Sequence, residues 1–292
     1  MNFKSQYLEC CGRELHYTEW GAQHTRTVLA CHGLARTCRD MDELAQSLSR
    51  QYRVLCPDMI GRGLSQWSPD PQSEYCLAFY EELLRSFADQ LGLQQFDWVG
   101  TSMGGAIGTR AAARSLRGRI GKLVLNDNGP ELAQAAIARI RGYAGNPSTF
   151  ATIRELEQYF RTVYKPYGWL SDAQWRRLTE TSARRLPDGR VTPHYDPAMV
   201  MQFTHHQDDY LLWEDWDRLD IPVLCLRGES SDLLLPDVTQ QMRQRGPRAT
   251  VIEIPGCGHA PALNTPAQLA LIDRFLAGHP AAEPVTGPAA TR

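Results

Sequence analysis

Six short apolar runs, separated by stretches of helical periodicity, do most to restrict what this chain can fold into. They read TVLACHG (27–33), YRVLCPD (52–58), FDWVG (96–100), KLVLNDNG (122–129), PVLCLRGE (222–229) and ATVIEIPG (249–256). Each is rich in Val, Ile or Leu and lacks polar alternation, as expected of strands covered on both faces. Strands that alternate with helices predict an α/β fold with a mostly parallel sheet. The N-terminal stretch SQYLECCGRELHYTEWG alternates instead around Cys11-Gly12 and reads as a hairpin.

The strand signal stops between Pro130 and about Asp217, where ELAQAAIARIRGY, TIRELEQYFRTVY and SDAQWRRLTETSARR read as helices. A helical insertion over 130–217 would then divide one core into 1–129 and 218–278. The insertion is unusually aromatic. Most of its rings are expected in its own interior and a minority on a substrate pocket, for which Trp169, Trp175 and Trp213 are the candidates, together with His32 of the core. The tail 279–292, HPAAEPVTGPAATR, has nothing to pack and is expected to be disordered.

A formal charge of −2 on 292 residues, with no run of Lys or Arg, gives no electrostatic footprint for nucleic acid or anionic lipid. No stretch approaches the roughly 20 apolar residues of a spanning helix, and the first residues have no apolar leader pattern, so no membrane partner and a cytoplasmic location are expected. The eight cysteines lack C-x-x-C spacing. Reduced, mostly buried thiols are expected from them, and no metal site.

The third apolar run passes directly into Gly-Thr-Ser-Met-Gly and then an Ala-rich helical stretch, FDWVGTSMGGAIGTRAAA. A serine on such a strand-to-helix turn is pushed out of the sheet, and its hydroxyl meets the helix N-terminus, where developing negative charge is favoured. Gly100 and Gly104 would relieve crowding against neighbouring elements. A hydroxyl is a poor nucleophile without a base, and the base needs a carboxylate to fix its tautomer. Asp232, in SSDLLLP, and His259, in GCGHAP, both follow strand ends, and the chain order Ser102, Asp232, His259 suits that geometry. The backbone N–H groups of Leu34, after the His32-Gly33 turn, and of Met103 would hold the oxyanion. His32 itself reads chiefly as a brace for that turn. His205-His206 are adjacent on a predicted helix and point apart, which disfavours a metal.

HGLA, CPDMIGRGLSQW, GTSMGG, LRGESSDLLLP and GCGHAP, in this order, resemble the α/β-hydrolase superfamily, and the resemblance covers roughly 3–277. It implies an eight-stranded, mostly parallel sheet with helices on both faces and a lid-like cap inserted after the sixth strand. In the segment Asp58 to Ser65, which looks like the family's turn beside the active site, Arg62 and Ser65 are expected to hold neighbouring loops. Some relatives place the acid after the sixth strand, which would make it Asp127. Asp232 is the favoured acid, and Asp127 can be explained as a hinge or capping residue.

Ser102 at the turn argues against halide and epoxide chemistry, which uses an aspartate there. Leu34-Ala35 and Ala260 depart from the relatives that cleave carbon–carbon bonds. The sequence therefore predicts a serine hydrolase that cleaves a small-to-medium carboxylic ester, lactone or thioester, with an apolar or aromatic acyl or alcohol group and no cofactor. Carbon–carbon or amide bond hydrolysis by the same residues is the alternative, and a small-molecule receptor on a hydrolase scaffold is the non-enzymatic one.

Overall fold

The computed structural model describes residues 2–279; the predicted tail lies outside them from residue 280 onward. Ten strands occur among them: β1 (Phe3–Cys10), β2 (Arg13–Trp20), β3 (Thr27–Cys31), β4 (Arg53–Pro57), β5 (Phe96–Thr101), β6 (Ile120–Asn126), β7 (Ala183–Arg185), β8 (Val191–Pro193), β9 (Val223–Gly228) and β10 (Thr250–Ile254). Eight form one sheet in the order β1-β2-β4-β3-β5-β6-β9-β10. From β4 to β10 all neighbours run parallel, and only the hairpin β1-β2 brings in antiparallel pairing. That hairpin turns at Cys11-Gly12, both at positive φ, the conformation that matches the twist of a two-residue hairpin loop.

The helices of the core are α1 (Asp42–Leu48), α2 (Pro71–Glu74), α3 (Leu77–Gln90) and α4 (Met103–Ala113), then α10 (Pro236–Gln244) and α11 (Pro266–Leu276). Burial on both faces of the sheet accounts for the apolar runs. On β3, Leu29 and Cys31 join the interior shared with α3, α4 and α10, whereas Val28 and Ala30 join the one shared with α1 and α11. The same alternation recurs on β9, with Val223 and Cys225 on one side and Leu224 and Leu226 on the other. Each such Val or Leu contributes about 1.5–3 kcal/mol when fully buried. The runs of β3, β4, β5, β6 and β9 accordingly lie inside the sheet, whereas that of β10 forms its edge and is only partly buried.

Between β6 and β9 the insertion contributes α5 (Gln134–Ala144), α6 (Ile153–Val163), α7 (Asp172–Thr181), α8 (Gln202–His205) and α9 (Trp213–Asp217). It has its own small core of Leu156, Phe160, Tyr164, Trp175 and Val191. It is not wholly helical. The stretch read as one helix over SDAQWRRLTETSARR ends at Thr181, and Ala183–Arg185 pairs with Val191–Pro193 across Pro187-Asp188-Gly189. A Pro-Asp-Gly turn with Gly189 at φ 86° is a strong local turn signal that breaks the helix. No helix among the described residues is long and apolar enough to cross a membrane.

Candidate active site

The parallel strands deliver their C-terminal ends to one edge of the sheet, where α/β folds bind ligands. Ser102 stands between β5 and α4 with φ 51° and ψ −118°, a sparsely populated conformation that costs a non-glycine residue about 1–3 kcal/mol. The surrounding backbone enforces it. The Ser102 N–H donates to the Asn126 carbonyl at 3.0 Å, and the Ser102 carbonyl accepts from Gly105 at 2.8 Å and Ala106 at 3.1 Å. A Cβ on Gly100 would run into the Gly104 backbone, and one on Gly104 into the Cys31 carbonyl of β3. The glycines two places either side of the serine are therefore a packing requirement of a helix laid directly on the sheet.

His259 lies in the loop after β10. Its Nε2 is 3.0 Å from Ser102 Oγ and its Nδ1 is 2.7 Å from Asp127 Oδ2. Asp127 is fully buried at the end of β6. Its Oδ1 accepts from the Gly228 N–H at 2.8 Å, and its Oδ2 also accepts from the Ser231 hydroxyl at 2.6 Å. With the carboxylate acting only as acceptor, Nδ1 carries the ring proton and Nε2 is left to accept from the serine. Such an arrangement can raise the nucleophilicity of Ser102 and carry its proton to a leaving group.

This corrects the expectation for the acid. Asp232 does not reach His259. It is about half exposed and pairs with Arg139 of α5, Oδ2 accepting from Nη2 at 2.7 Å and Nε at 3.1 Å. The neighbouring Ser231 turns inward to Asp127 instead. Asp127 adopts φ 51°, a left-handed conformation in which Asp and Asn are enriched, and the Asn126-Asp127-Asn128-Gly129 sequence was the signal for it.

Leu34 lines the same cavity as Ser102, and Met103 opens α4, where first-turn N–H groups have no intrahelical acceptor. The fully buried Arg62 bridges these two residues. Its Nε donates to the Leu34 carbonyl at 2.8 Å, Nη1 to the Ile60 carbonyl at 2.7 Å and the Tyr80 hydroxyl at 2.8 Å, and Nη2 reaches Met103 Sδ at 3.6 Å. Ser65 ties β2 to the same turn, donating to the Asp58 carbonyl at 2.6 Å and accepting from the His16 N–H at 2.8 Å.

His32 is not a wall of the site. It is fully buried, Nε2 accepts from the Met59 N–H at 3.0 Å, and Nδ1–H therefore donates to the Gly33 carbonyl at 2.6 Å. Burial holds its pKa below the usual value. A neutral ring with both nitrogens on backbone groups braces the turn that carries Leu34.

A cavity of about 660 Å³ opens over Ser102 and His259, walled by Leu34, Arg36, Tyr143, Tyr164, Lys165 and Tyr167 among others. The three tryptophans expected in this wall lie elsewhere. Trp175 is buried in the insertion's own core, Trp169 is 73% exposed, and Trp213 donates its indole N–H to Glu131 at 2.7 Å beneath the Arg245 guanidinium. Tyrosines, not tryptophans, form the aromatic part of the cavity.

His16, Cys38 and Asp58 converge closely enough to suggest a metal, but their hydrogen bonds are already filled. The Asp58 carboxylate accepts from the Cys38 N–H at 2.6 Å, the Leu64 N–H at 3.0 Å and His16 Nδ1 at 2.7 Å, and burial pushes the Cys38 thiol far above its usual pKa. These bonds make the cluster a hydrogen-bonded part of the core that ties β2, β4 and the turn before α1 together. All eight cysteines are free, and Cys11 alone is exposed.

A family model described as the alpha/beta hydrolase fold matches residues 26–266. The chain is 38% identical over 272 residues to a 3-hydroxybutyrate-oligomer hydrolase of Cupriavidus necator, a match covering 90% of this chain and 92% of that protein. It is 26% identical to an esterase of Mycobacterium tuberculosis over 77% of this chain and 73% of that protein. The solved structure of an α/β hydrolase from Novosphingobium aromaticivorans superposes with a TM-score of 0.85 at 33% identity, covering 94% of this chain and 98% of that one. With the eight-stranded sheet, the serine on its strained turn and these relatives in place, the chain belongs to the α/β-hydrolase fold family and is a hydrolase.

Proposed function

We propose that the chain is a serine hydrolase of carboxylic esters that works through an acyl-enzyme on Ser102. The observation that carries this reading is the hydrogen-bonded series Ser102–His259–Asp127, at 3.0 and 2.7 Å, in the wall of a cavity large enough for a small ester. Ser102 Oγ attacks the ester carbonyl while its proton passes to His259 Nε2. Asp127 holds the ring in the required tautomer and stabilises the imidazolium. The N–H groups of Leu34 and Met103 receive the negative charge on the carbonyl oxygen. As the intermediate collapses, the C–O bond breaks and His259 returns the proton to the departing alkoxide. Water, deprotonated by the same histidine, then releases the acid and restores Ser102. These steps need no cofactor.

The substrate that fits best is a short linear ester of a small hydroxy acid. The 38% identical relative named for 3-hydroxybutyrate oligomers supports it, and so does the polar character that Arg36, Arg139, Lys165 and the tyrosines give the cavity. This replaces the expectation of a mainly apolar or aromatic substrate.

Incubating the purified protein with the linear dimer and trimer of 3-hydroxybutyrate tests the proposal. Release of the monomer, reduced at least about 10³-fold in Ser102→Ala with the fold intact, is the expected result. No release from either oligomer would remove this substrate class, and undiminished release by Ser102→Ala would remove the acyl-enzyme.

A further inference from the structure

The cavity over Ser102 takes Tyr143 of α5 into its wall, with Tyr164 at the end of α6 and Tyr167 in the turn that follows. Tyr164 is only 6% exposed, and the other two are half-buried. In the core, buried tyrosines have partners: the Tyr75 hydroxyl donates to Asp196 at 2.7 Å, that of Tyr210 donates to Gln202 at 2.8 Å, and that of Tyr80 accepts from Arg62 at 2.8 Å. The Tyr52 hydroxyl has none and is sealed from solvent. The three cavity hydroxyls differ from both kinds. Among the described residues no protein group pairs with them, and they are not sealed.

Packing fixes these rings beside the nucleophile. Tyr164 and Tyr167 stack with centroids 4.9 Å apart, and the Arg36 guanidinium lies 4.6 Å over Tyr164. The turn that bears Arg36 abuts the serine: the Cβ position of Gly33 is 3.8 Å from Arg36 Cγ and 3.7 Å from Ser102 Cβ. Each of the three hydroxyls stands within electrostatic reach of the other two and of Arg36. Burial pushes those of Tyr143 and Tyr167 far above the usual phenol pKa, so both stay protonated. Asp40 and Asp232 match the charges of Arg36 and Arg139, and Lys165 is exposed. What the inner wall offers is therefore a group of neutral O–H donors. A tyrosine hydroxyl taken out of bulk water ordinarily finds a partner, and three left open together call for acceptor oxygens that enter with the substrate.

We infer that Tyr143, Tyr164 and Tyr167 form a subsite of hydroxyl donors for the neutral oxygens of a second ester unit, so that the cavity selects an oligoester over an alkyl ester of similar length. The inference rests on the ester-hydrolase reading and narrows it. With one ester carbonyl at Ser102, an alkyl chain displaces water from these hydroxyls and returns no acceptor, which leaves them desolvated and unpaired. A chain with ester oxygens at regular intervals replaces the bonds it displaces. A site built to hydrogen-bond its substrate rejects the analogue that lacks the matching group more strongly than an apolar pocket rejects a change of length.

The test measures binding and cleavage separately, with two uncharged ligands of similar length. One is the methyl ester of the linear 3-hydroxybutyrate dimer, which carries a second ester group and a hydroxyl; the other is butyl butyrate, which carries a single ester. In the Ser102→Ala background, calorimetry gives the affinity of each. Tyr143→Phe, Tyr164→Phe and Tyr167→Phe keep the ring and its packing and lose only the hydroxyl. Each should lower the preference for the dimer ester about two- to tenfold, and the triple variant at least about tenfold. A fall of less than about threefold in the triple variant, including equal weakening of both ligands, overturns the subsite. With Ser102 intact, kcat/KM on the two esters should show the same fall. Cleavage of both with a preference that the triple variant leaves unchanged overturns the subsite while the hydrolase reading stands. A preference in binding that the triple variant loses, with cleavage of neither ester by the parent, supports the subsite and overturns the hydrolase reading.

Discussion

Replacing Asp127 and Asp232 one at a time by asparagine separates the two carboxylates that follow strand ends. Asp127 takes hydrogen bonds from the Gly228 N–H, the Ser231 hydroxyl and His259 Nδ1, all within a buried pocket. An amide keeps one acceptor oxygen where the carboxylate had two. If that oxygen stays on the Gly228 N–H, the NH₂ group faces His259 Nδ1, which must then accept. The ring proton moves to Nε2, the nitrogen that has to accept from Ser102. Fixing the wrong tautomer costs about 10⁴ in kcat in a serine protease with the same three residue types, or about 5.4 kcal/mol of barrier at 1.36 kcal/mol per decade. Asp232→Asn removes only an ion pair whose partners are both about half exposed. Such pairs contribute about 0–1 kcal/mol, so kcat should stay within about fivefold of the parent. Steady-state hydrolysis of p-nitrophenyl butyrate, with circular dichroism to verify the fold, reads both variants. Equal losses, or a larger loss in Asp232→Asn, would refute the assignment of Asp127.

Trp175→Ala should destabilise the protein by about 3–5 kcal/mol, because the ring is buried with Leu156, Phe160 and Val191. Trp169→Ala, at a 73% exposed position, should stay within about 0.5 kcal/mol of the parent; similar Tm values for the two variants would contradict this placement. The pH dependence of stability should carry the mark of His32, whose native pKa lies below 6.5 because of burial. The unfolded chain protonates this residue as pH falls below 6.5 while the native chain does not, so its contribution is complete above that pH and is lost as pH falls toward the lower native value. His32→Gln should therefore flatten the decline of Tm between about pH 7 and pH 5, and parallel profiles for the two proteins would contradict it.

The sheet was legible in the sequence because strands buried on both faces carry continuous apolar runs, and a period-2 split such as Val28 and Ala30 against Leu29 and Cys31 needs no further cue. Ser102 and His259 were legible because each follows a strand, and because glycines at 100 and 104 let a helix lie directly on the sheet where any side chain would collide with backbone. The acid was harder. Asp127 and Asp232 both follow strand ends, and what separates them is backbone conformation: φ 51° at Asp127 puts its carboxylate under the histidine, while Ser231 takes the inward place beside Asp232. The aromatic residues of the insertion were beyond sequence reasoning for a similar cause. Trp169 and Trp175 lie six residues apart, one in water and one in the insertion's core, and neither composition nor spacing says which face of a small, irregular subdomain meets the cavity. The hairpin β7-β8 was missed although Pro187-Asp188-Gly189 announced it, because three-residue strands carry too little periodicity to interrupt a helical pattern.

The proposed mechanism requires that Ser102 become covalently acylated during turnover. The direct measurement is rapid acid quenching of the protein during hydrolysis of p-nitrophenyl butyrate, followed by mass analysis of the intact chain and of its peptides. One butyryl group is expected on the peptide containing Ser102, formed in a burst and absent from Ser102→Ala. Turnover by the parent with no acyl group on that peptide, or with the group on another residue, would contradict it.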